Sequence, residues 1–298
     1  MTQNDQNDEI ILESELILNE DNSVYHLRLK AEHIADTVIL VGDPGRVSQV
    51  SGHFDQIYNK IQNREFLTHT GVYKGLPVSV ISSGIGTDNI DIVINELDAA
   101  INIDPVTRKP NTTKRSLNII RIGTSGGLQK EISVGSFVLA EYGLGFDGLM
   151  HYYQYPYSEE ELELTNRITR HLNIYEKLPA PYVTGVSKDL MQCLEPGMIK
   201  GITATASGFY GPQGRRLNLE PRDPTINERM RNFNFNNQKI TNFEMETSAL
   251  YGLGKMLGHR CCTCCAIIAN RLRKDYSNDH AGMVDHLISD VLHKLSQL

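Results

Sequence analysis

Residues 117–128, Leu-Asn-Ile-Ile-Arg-Ile-Gly-Thr-Ser-Gly-Gly-Leu, constrain this chain more than any other stretch. The apolar run has too few polar positions for a strand with one wet face, and it suits a central strand covered on both sides. It ends in Gly123-Thr124-Ser125-Gly126-Gly127, a turn that can approach a ligand without Cβ clashes. Arg121 stands just before the turn. A buried arginine is costly unless it meets an anion, and the carboxyl end of a parallel strand is where open α/β sheets bind ligands. The plainer reading is an arginine paired to a nearby carboxylate.

The rest of the chain supports an α/β reading. Residues 37–41 form a short β-branched strand that runs into Gly42-Asp43-Pro44-Gly45-Arg46, a strand–turn–helix arrangement of the kind that binds anions. No Gly-Lys-Ser/Thr follows, so it is not a Walker A loop. Residues 77–82 are a second strand, and Ile90, Val93, Ile94, Leu97 and Ile101 mark one face of the helix after it, with Asp88 or Asn89 as its cap. Later come a strand at 136–142, an irregular Gly-rich segment at 143–157, a helix at 159–172, and short strands at 182–185 and 202–206. The loop after the last of these carries Phe209, Gln213 and Arg215, a ring, an amide and a guanidinium that together can stack on a planar ring and bind its edge. Residues 216–239 read as a polar surface insertion, and Asn242 to Glu246 as the opening of a helix whose start suits two carboxylates. A strand over 260–269 and a helix over 280–298 close the chain. Strands and helices alternate with no repeat or linker. The expectation is one domain over residues 23–298, a mostly parallel twisted sheet between helix layers, preceded by a polar extension at 1–22.

Composition excludes several classes. The net charge of −7 offers no basic footprint for nucleic acid. No apolar run approaches the ~20 residues of a membrane span, and the N-terminus lacks a signal pattern, which points to the cytoplasm. Four of the five cysteines lie in Cys261-Cys262-Thr263-Cys264-Cys265. Alternation along a strand keeps such neighbours from forming a zinc cage, so they read as small core residues.

Six segments in order, Gly42 to Arg46, Arg64-Glu65-Phe66, Ile120 to Gly127, Phe209 to Arg215, Glu244-Met245-Glu246 and Asn270-Arg271, resemble the nucleoside phosphorylase family, and within it the uridine-cleaving branch. The resemblance implies a three-layer α/β/α phosphorylase-type fold with a mixed, mostly parallel sheet. It implies reversible phosphorolysis of uridine, and of deoxyuridine or thymidine in some members, to uracil and the pentose 1-phosphate. It also implies a homodimer unit in a homohexamer. Phosphate, the co-substrate, would be held by Gly42, Arg46, Arg121 and Thr124, with Arg64 from a neighbouring subunit. Ribose would meet Thr124, Met245 and Glu246, with the neighbour's His26. The base would meet Phe209, Gln213, Arg215 and Arg271. Arg121, Glu246 and Arg215 would carry the chemistry, without a metal or organic cofactor. In some relatives a residue matching Glu65 helps bind a monovalent cation such as K+. Two departures stand out: Thr87-Asp88-Asn89 replaces a Gly-Pro-Ser-like turn, and residues 216–239 are longer than in bacterial relatives.

Competing readings are a purine nucleoside phosphorylase or nucleosidase of the same fold and a non-catalytic nucleoside-binding protein. The first commonly uses an aspartate where this chain has Asn270, and an asparagine is a poor acid. The second is disfavoured by the presence of Arg46, Arg121 and Glu246 together. Uracil presents an N3–H donor between two carbonyls. A glutamine amide can both donate and accept, whereas an arginine only donates. Cytosine would put its amino group against Arg215, donor to donor. Each unpaired buried polar group costs ~1–3 kcal/mol, so cytidine should react at least ~100-fold more slowly than uridine by kcat/KM. In an Arg215→Met variant that gap should narrow as uridine turnover collapses; unchanged uridine kinetics would remove Arg215 from the base site.

Overall fold

In the computed structural model, which describes residues 10–297, a mixed sheet lies between helices. The order is β1 (Thr37–Val41), α1 (Pro44–Ser51), β2 (Gln56–Asn63), β3 (Phe66–Tyr73), β4 (Leu76–Ser82), α2 (Thr87–Asn102), β5 (Asn118–Gly127), β6 (Phe137–Gly145), α3 (Glu159–Leu172), β7 (Tyr182–Gly185), α4 (Lys188–Leu194), β8 (Ile199–Thr205), α5 (Ile226–Asn232), β9 (Ile240–Glu244), α6 (Thr247–Leu257), β10 (Arg260–Asn270), β11 (Asp275–Tyr276) and α7 (His280–Leu295).

β1 lies parallel to β4 on one side and to β5 on the other, and β5 continues parallel to β10. The carboxyl ends of β1, β4 and β5 therefore open on one edge. The remaining pairings are mixed. β10 meets β6 antiparallel, β6 and β8 run parallel, β8 and β9 run parallel, and β9 returns antiparallel to the Gly126–Gly127 end of β5. Those five strands close on themselves. Two hairpins, β2–β3 and β3–β4, extend the other edge antiparallel. β2 alternates exposed and half-buried residues and carries little apolar signal.

Period-two alternation divides the core. Val38, Leu40 and Ile119 pack on the face shared with α2 and α6, while Ile39, Val41, Ile120 and Ile122 pack on the face shared with α1 and α7. The cysteine run obeys the same rule: Cys261 faces the first cluster, Cys262 and Cys264 the second, and all four are buried free thiols. Arg121, in register with Leu40 and Thr263, falls on the α2/α6 face.

Several segments differ from their reading in sequence. Residues 240–244 are a strand, because Ile240, Thr241 and Phe243 are buried in the closed ring, and the helix begins at Thr247. Five residues with only Ile240 and Phe243 apolar do not distinguish a strand from a helix start. Gly86, not Asp88 or Asn89, is the N-cap of α2. The segment at 216–239 contains α5 and buries Met230 and Phe233, so part of it belongs to the core. The extension docks where it is described: the Arg108 guanidinium donates to the carbonyls of Ile11, Leu12 and Leu16, and Leu16 and Leu18 pack on the core. Residues 1–9 of that extension, and Leu298 of the terminal helix, lie outside the described residues.

One buried carboxylate ties α3, α6 and β7 together. Glu161 accepts from the Tyr155 hydroxyl (2.7 Å), the Gly185 N–H (2.9 Å), the Ser158 N–H (2.7 Å) and the Lys255 ammonium (2.8 Å). Burial alone would raise its pKa, but those donors outweigh burial and hold it below the usual carboxylate range. A depressed carboxylate gives stability that is present above its unfolded pKa and lost as pH falls through the folded one. Glu161→Gln should therefore cost ~2–3 kcal/mol at pH 7 and flatten the acid limb of stability against pH. Equal urea midpoints for variant and wild type at pH 7 would contradict this.

Candidate active site

Three turns meet at the carboxyl edge of the sheet. A Cβ added to Gly42 would lie 3.3 Å from the carbonyl oxygen of Gly84, so the turns after β1 and β4 nearly touch. The end of β5 lies beside both. Arg46, in the first turn of α1, reaches across, its Nη1 3.4 Å from the carbonyl of Ile122. Burial lowers its pKa, and the nearby Arg121 lowers it further.

Arg121 is buried and answered by acids from the β9–α6 junction. Its guanidinium pairs with Glu246 through Nη2, and its Nη1 lies 3.4 Å from Glu244. Burial alone would depress Arg121, but Glu246 and then Glu244 raise it above the ordinary arginine value. The plainer sequence reading, an arginine paired to carboxylates, thus describes the protein by itself. Glu244 is fixed independently: it accepts from the Thr205 hydroxyl (2.7 Å) and from the N–H groups of Glu246 (2.9 Å) and Thr247 at the start of α6. Burial pushes its pKa up, opposed by Arg121. Glu246 also accepts from the Gly86 N–H at 2.8 Å, at the start of α2. Gly123 makes the arrangement possible, since a Cβ there would lie 2.1 Å from Arg121 Nη1. Cys265, 3.7 Å from the same nitrogen, has its thiol pushed up to about 12 by burial and stays protonated. The Arg121 Nε is buried without a partner.

Thr124 follows one residue past Gly123 and is half-buried, and Met245 stands half-exposed between the two glutamates. Both border the Arg46–Arg121–Glu246 cluster by their place in the chain.

Beyond the Gly126–Gly127 end of β5 lies a cavity of ≈ 190 Å³, whose lining includes Gln213, Arg215, Phe243 and Arg271. Gln213 is buried; Arg215 Nη1 donates to its Oε1, and the Arg215 guanidinium stacks 3.7 Å from the centre of the Phe209 ring. Arg271 donates to the carbonyls of Gln213 (2.7 Å) and Gly214 (3.3 Å), which braces the loop. Asn270 does not enter the cavity. Its Nδ2 donates to the carbonyls of Gln129 and Ile132, both at 2.8 Å, and its Oδ1 accepts from the N–H groups of Leu272 and Arg273. Every polar position of that amide is committed to backbone.

Arg64 and His26 form a separate surface group. Arg64 is exposed in the β2–β3 turn, 5.4 Å from the centre of the Tyr25 ring, and His26 Nδ1 lies 2.6 Å from Glu96 of α2. Asn63 donates to the His26 carbonyl at 2.8 Å. Glu65 is exposed in the same turn, and among the described residues no group of three or more His, Cys, Asp or Glu side chains is placed to hold a metal ion. In the sequence Glu244 was named only as one of two carboxylates beside Met245 and Gly123 only as part of a close-approach turn, neither with a role toward Arg121, and Gly86 was not singled out.

Arg121→Met would leave Glu244 and Glu246 facing each other without a cation, and breaking a buried pair in this way costs ~3–5 kcal/mol. Like-charge repulsion then raises the pKa of one carboxylate above its unfolded value. Stability from that group is present at low pH and lost as pH rises through the folded pKa. The variant should regain part of the loss at pH 5 relative to pH 7.5 in urea unfolding, whereas equal losses at both would show that the two acids are not coupled.

Comparison with known proteins identifies the family. Residues 36–293 match the model of the Phosphorylase superfamily. A uridine phosphorylase of Thermococcus kodakarensis is 32% identical over 266 residues, 86% of this chain and 81% of that protein. A uridine phosphorylase of Treponema pallidum is 28% identical over 250 residues, 84% of this chain and 83% of that one. Among solved structures, a Trypanosoma brucei nucleoside phosphorylase with uridine phosphorylase activity superposes with a TM-score of 0.86 at 29% identity, covering 95% of this chain and all of that one (100%). A purine nucleoside phosphorylase of Toxoplasma gondii, at 21% identity and a TM-score of 0.65, shares the fold. The chain belongs to the phosphorylase superfamily of nucleoside phosphorylases.

Proposed function

We propose that this protein is a uridine phosphorylase. The observation that carries the reading is the junction of two unlike regions. A cluster of Arg46, Arg121 and Glu246 lies at the strand ends, and a small cavity walled by Gln213, Arg215 and Arg271 adjoins it through Gly126 and Gly127. The Thermococcus, Treponema and Trypanosoma relatives support the same activity.

Phosphate sits at Gly42, Arg46, Arg121 and Thr124, where guanidiniums and turn amides give charge-assisted bonds. Ribose lies over Thr124 and Met245, with its hydroxyls donating to Glu246. Entry of phosphate gives Arg121 a third anion, so Glu246 can turn part of its accepting capacity to the sugar. A phosphate oxygen then bonds to C1′ while the C1′–N1 bond breaks, its electron pair passing to the base. Fixing the two reactants together removes up to ~7–11 kcal/mol of barrier in favourable cases. Negative charge grows on the ring carbonyls as the bond breaks, and Arg215 and Gln213 are placed to donate to it. Water returns a proton to the departed uracil.

Arg64 and His26 complete the site from a second copy of the chain, in a homodimer unit of a homohexamer, acting in the cytoplasm. Among the described residues no helix is long and apolar enough to cross a membrane.

Uracil release from uridine should require phosphate and yield ribose 1-phosphate. Comparable release in phosphate-free buffer would mark a hydrolase instead. Arg64→Ala and Arg121→Ala subunits should each be inactive alone. Exchanged together they should recover up to about a quarter of wild-type activity, because a mixed dimer contains one intact site. Mixtures shown to exchange subunits that remain inactive would exclude a shared site.

A further inference from the structure

The base-side cavity contains a third cation. Arg231, near the end of α5, lines it together with Arg215 and Arg271. The Arg231 Nε donates to the carbonyl of Asn227 one turn earlier, at 3.2 Å, which turns the guanidinium back along the helix and leaves both terminal nitrogens without a protein acceptor among the described residues. Asp223 pairs with Arg229, Glu220 with Arg216 and Asp275 with Arg273, while Glu228 of α5 is exposed and forms no ion pair with Arg231 among the described residues. Among the described residues no carboxylate pairs with any of the three cavity arginines. The contrast with the other end of the site is sharp, since Arg121 has two carboxylates within 4 Å. Like charges gathered in one cavity repel, and Arg215 is held down to about 10 by burial and by Arg271. A cavity built this way is completed by negative charge on what enters it.

We propose that Arg231 is a further specificity-determining residue of the base site, and that with Arg215 and Arg271 it faces the negative charge the pyrimidine ring acquires as its bond to ribose breaks. This rests on the uridine phosphorylase reading. The electron pair released from the C1′–N1 bond spreads over N1 and the two ring carbonyl oxygens while phosphate oxygen bonds to C1′. The three guanidiniums stabilise that anion until water protonates it, and no further reactant is needed. Arg231 is supplied by the segment at 216–239, so the long insertion contributes to the chemistry as well as to the surface.

The consequence is a changed dependence on the leaving group. A more acidic base needs less help to leave, so loss of a stabilising cation hurts a poor leaving group more than a good one. Single-turnover rates with saturating phosphate would be compared for 5-fluorouridine, uridine and 5-methyluridine in wild type, Arg231→Met and Arg231→Lys. Arg231→Met should lose ~10–100-fold on uridine, less on 5-fluorouridine and more on 5-methyluridine, so that the dependence on base acidity steepens. Arg231→Lys should restore part of the rate and of the shallower dependence. If the Met variant unfolds, the Lys variant must still show a steeper dependence than wild type. Equal losses on all three substrates would reduce Arg231 to bracing α5 and overturn the proposal, while wild-type phosphorolysis of uridine would leave the parent reading intact. Failure of the wild type to cleave uridine with phosphate would overturn both.

Discussion

The buried pairing of Arg121 with Glu246 and Glu244 is the interaction on which the arrangement of the edge depends. A guanidinium on a central strand cannot reach water, so its charge must be met inside the protein. It is met by the chain entering α6, and this fixes the position of that helix against β5. Glu246 also accepts from the backbone at the start of α2, so the same carboxylate sets where the turn after β4 lies. Glu244 is immobilised by a threonine hydroxyl and two backbone N–H groups, which gives the cluster one member that has no freedom to turn elsewhere. Three strand ends and two helix starts are thereby held together by one ionic group.

The two ends of the site are built on opposite electrostatic terms. At the strand ends the cations arrive with acids, so the buried cluster is nearly neutral and the protein is stable before any substrate binds. At the base side Arg215 and Arg271 are bound to carbonyls and an amide oxygen, which orient them without neutralising them. An arginine that is held but not neutralised keeps its field available for charge that appears only during reaction. Stacking of Arg215 on Phe209 and the donations of Arg271 to Gln213 and Gly214 brace the loop that carries Gln213 and Arg215.

The closed ring of β5, β10, β6, β8 and β9 explains why residues far apart in sequence share one site. Its closure brings the Gly127 end of β5 beside Asn242 of β9 and Asn270 of β10. Buried amides then lock the junction: Asn242 donates to the Ser125 hydroxyl at 3.0 Å, and Asn270 binds the backbone that follows β5. The cavity lies on that junction, so its shape is inherited from sheet closure more than from any one loop.

Alternation and periodicity along the chain were enough to establish β1, α2, β5, α3, β7, β10 and α7, and to send the cysteines into the core, because those properties are local. They also isolated Arg121 as a charge needing an anion, and Phe209, Gln213 and Arg215 as a loop able to read a planar ring. The sequence did not reveal that residues 240–244 are a strand, since their ladder partners lie some 39 residues away in β8. Nor could it say which anion Arg121 would find: Glu246 is 125 positions distant, and only the folding of the intervening helices and strands brings it into contact. Asn270 looked like a residue beside the base and proved to be a backbone clamp, while Arg231 looked like one charge among many in a polar insertion and proved to line the cavity. Local pattern determined which segments are buried and on which face; tertiary structure decided which charges meet, because ionic pairing depends on distance in space and spacing in sequence carries no record of it.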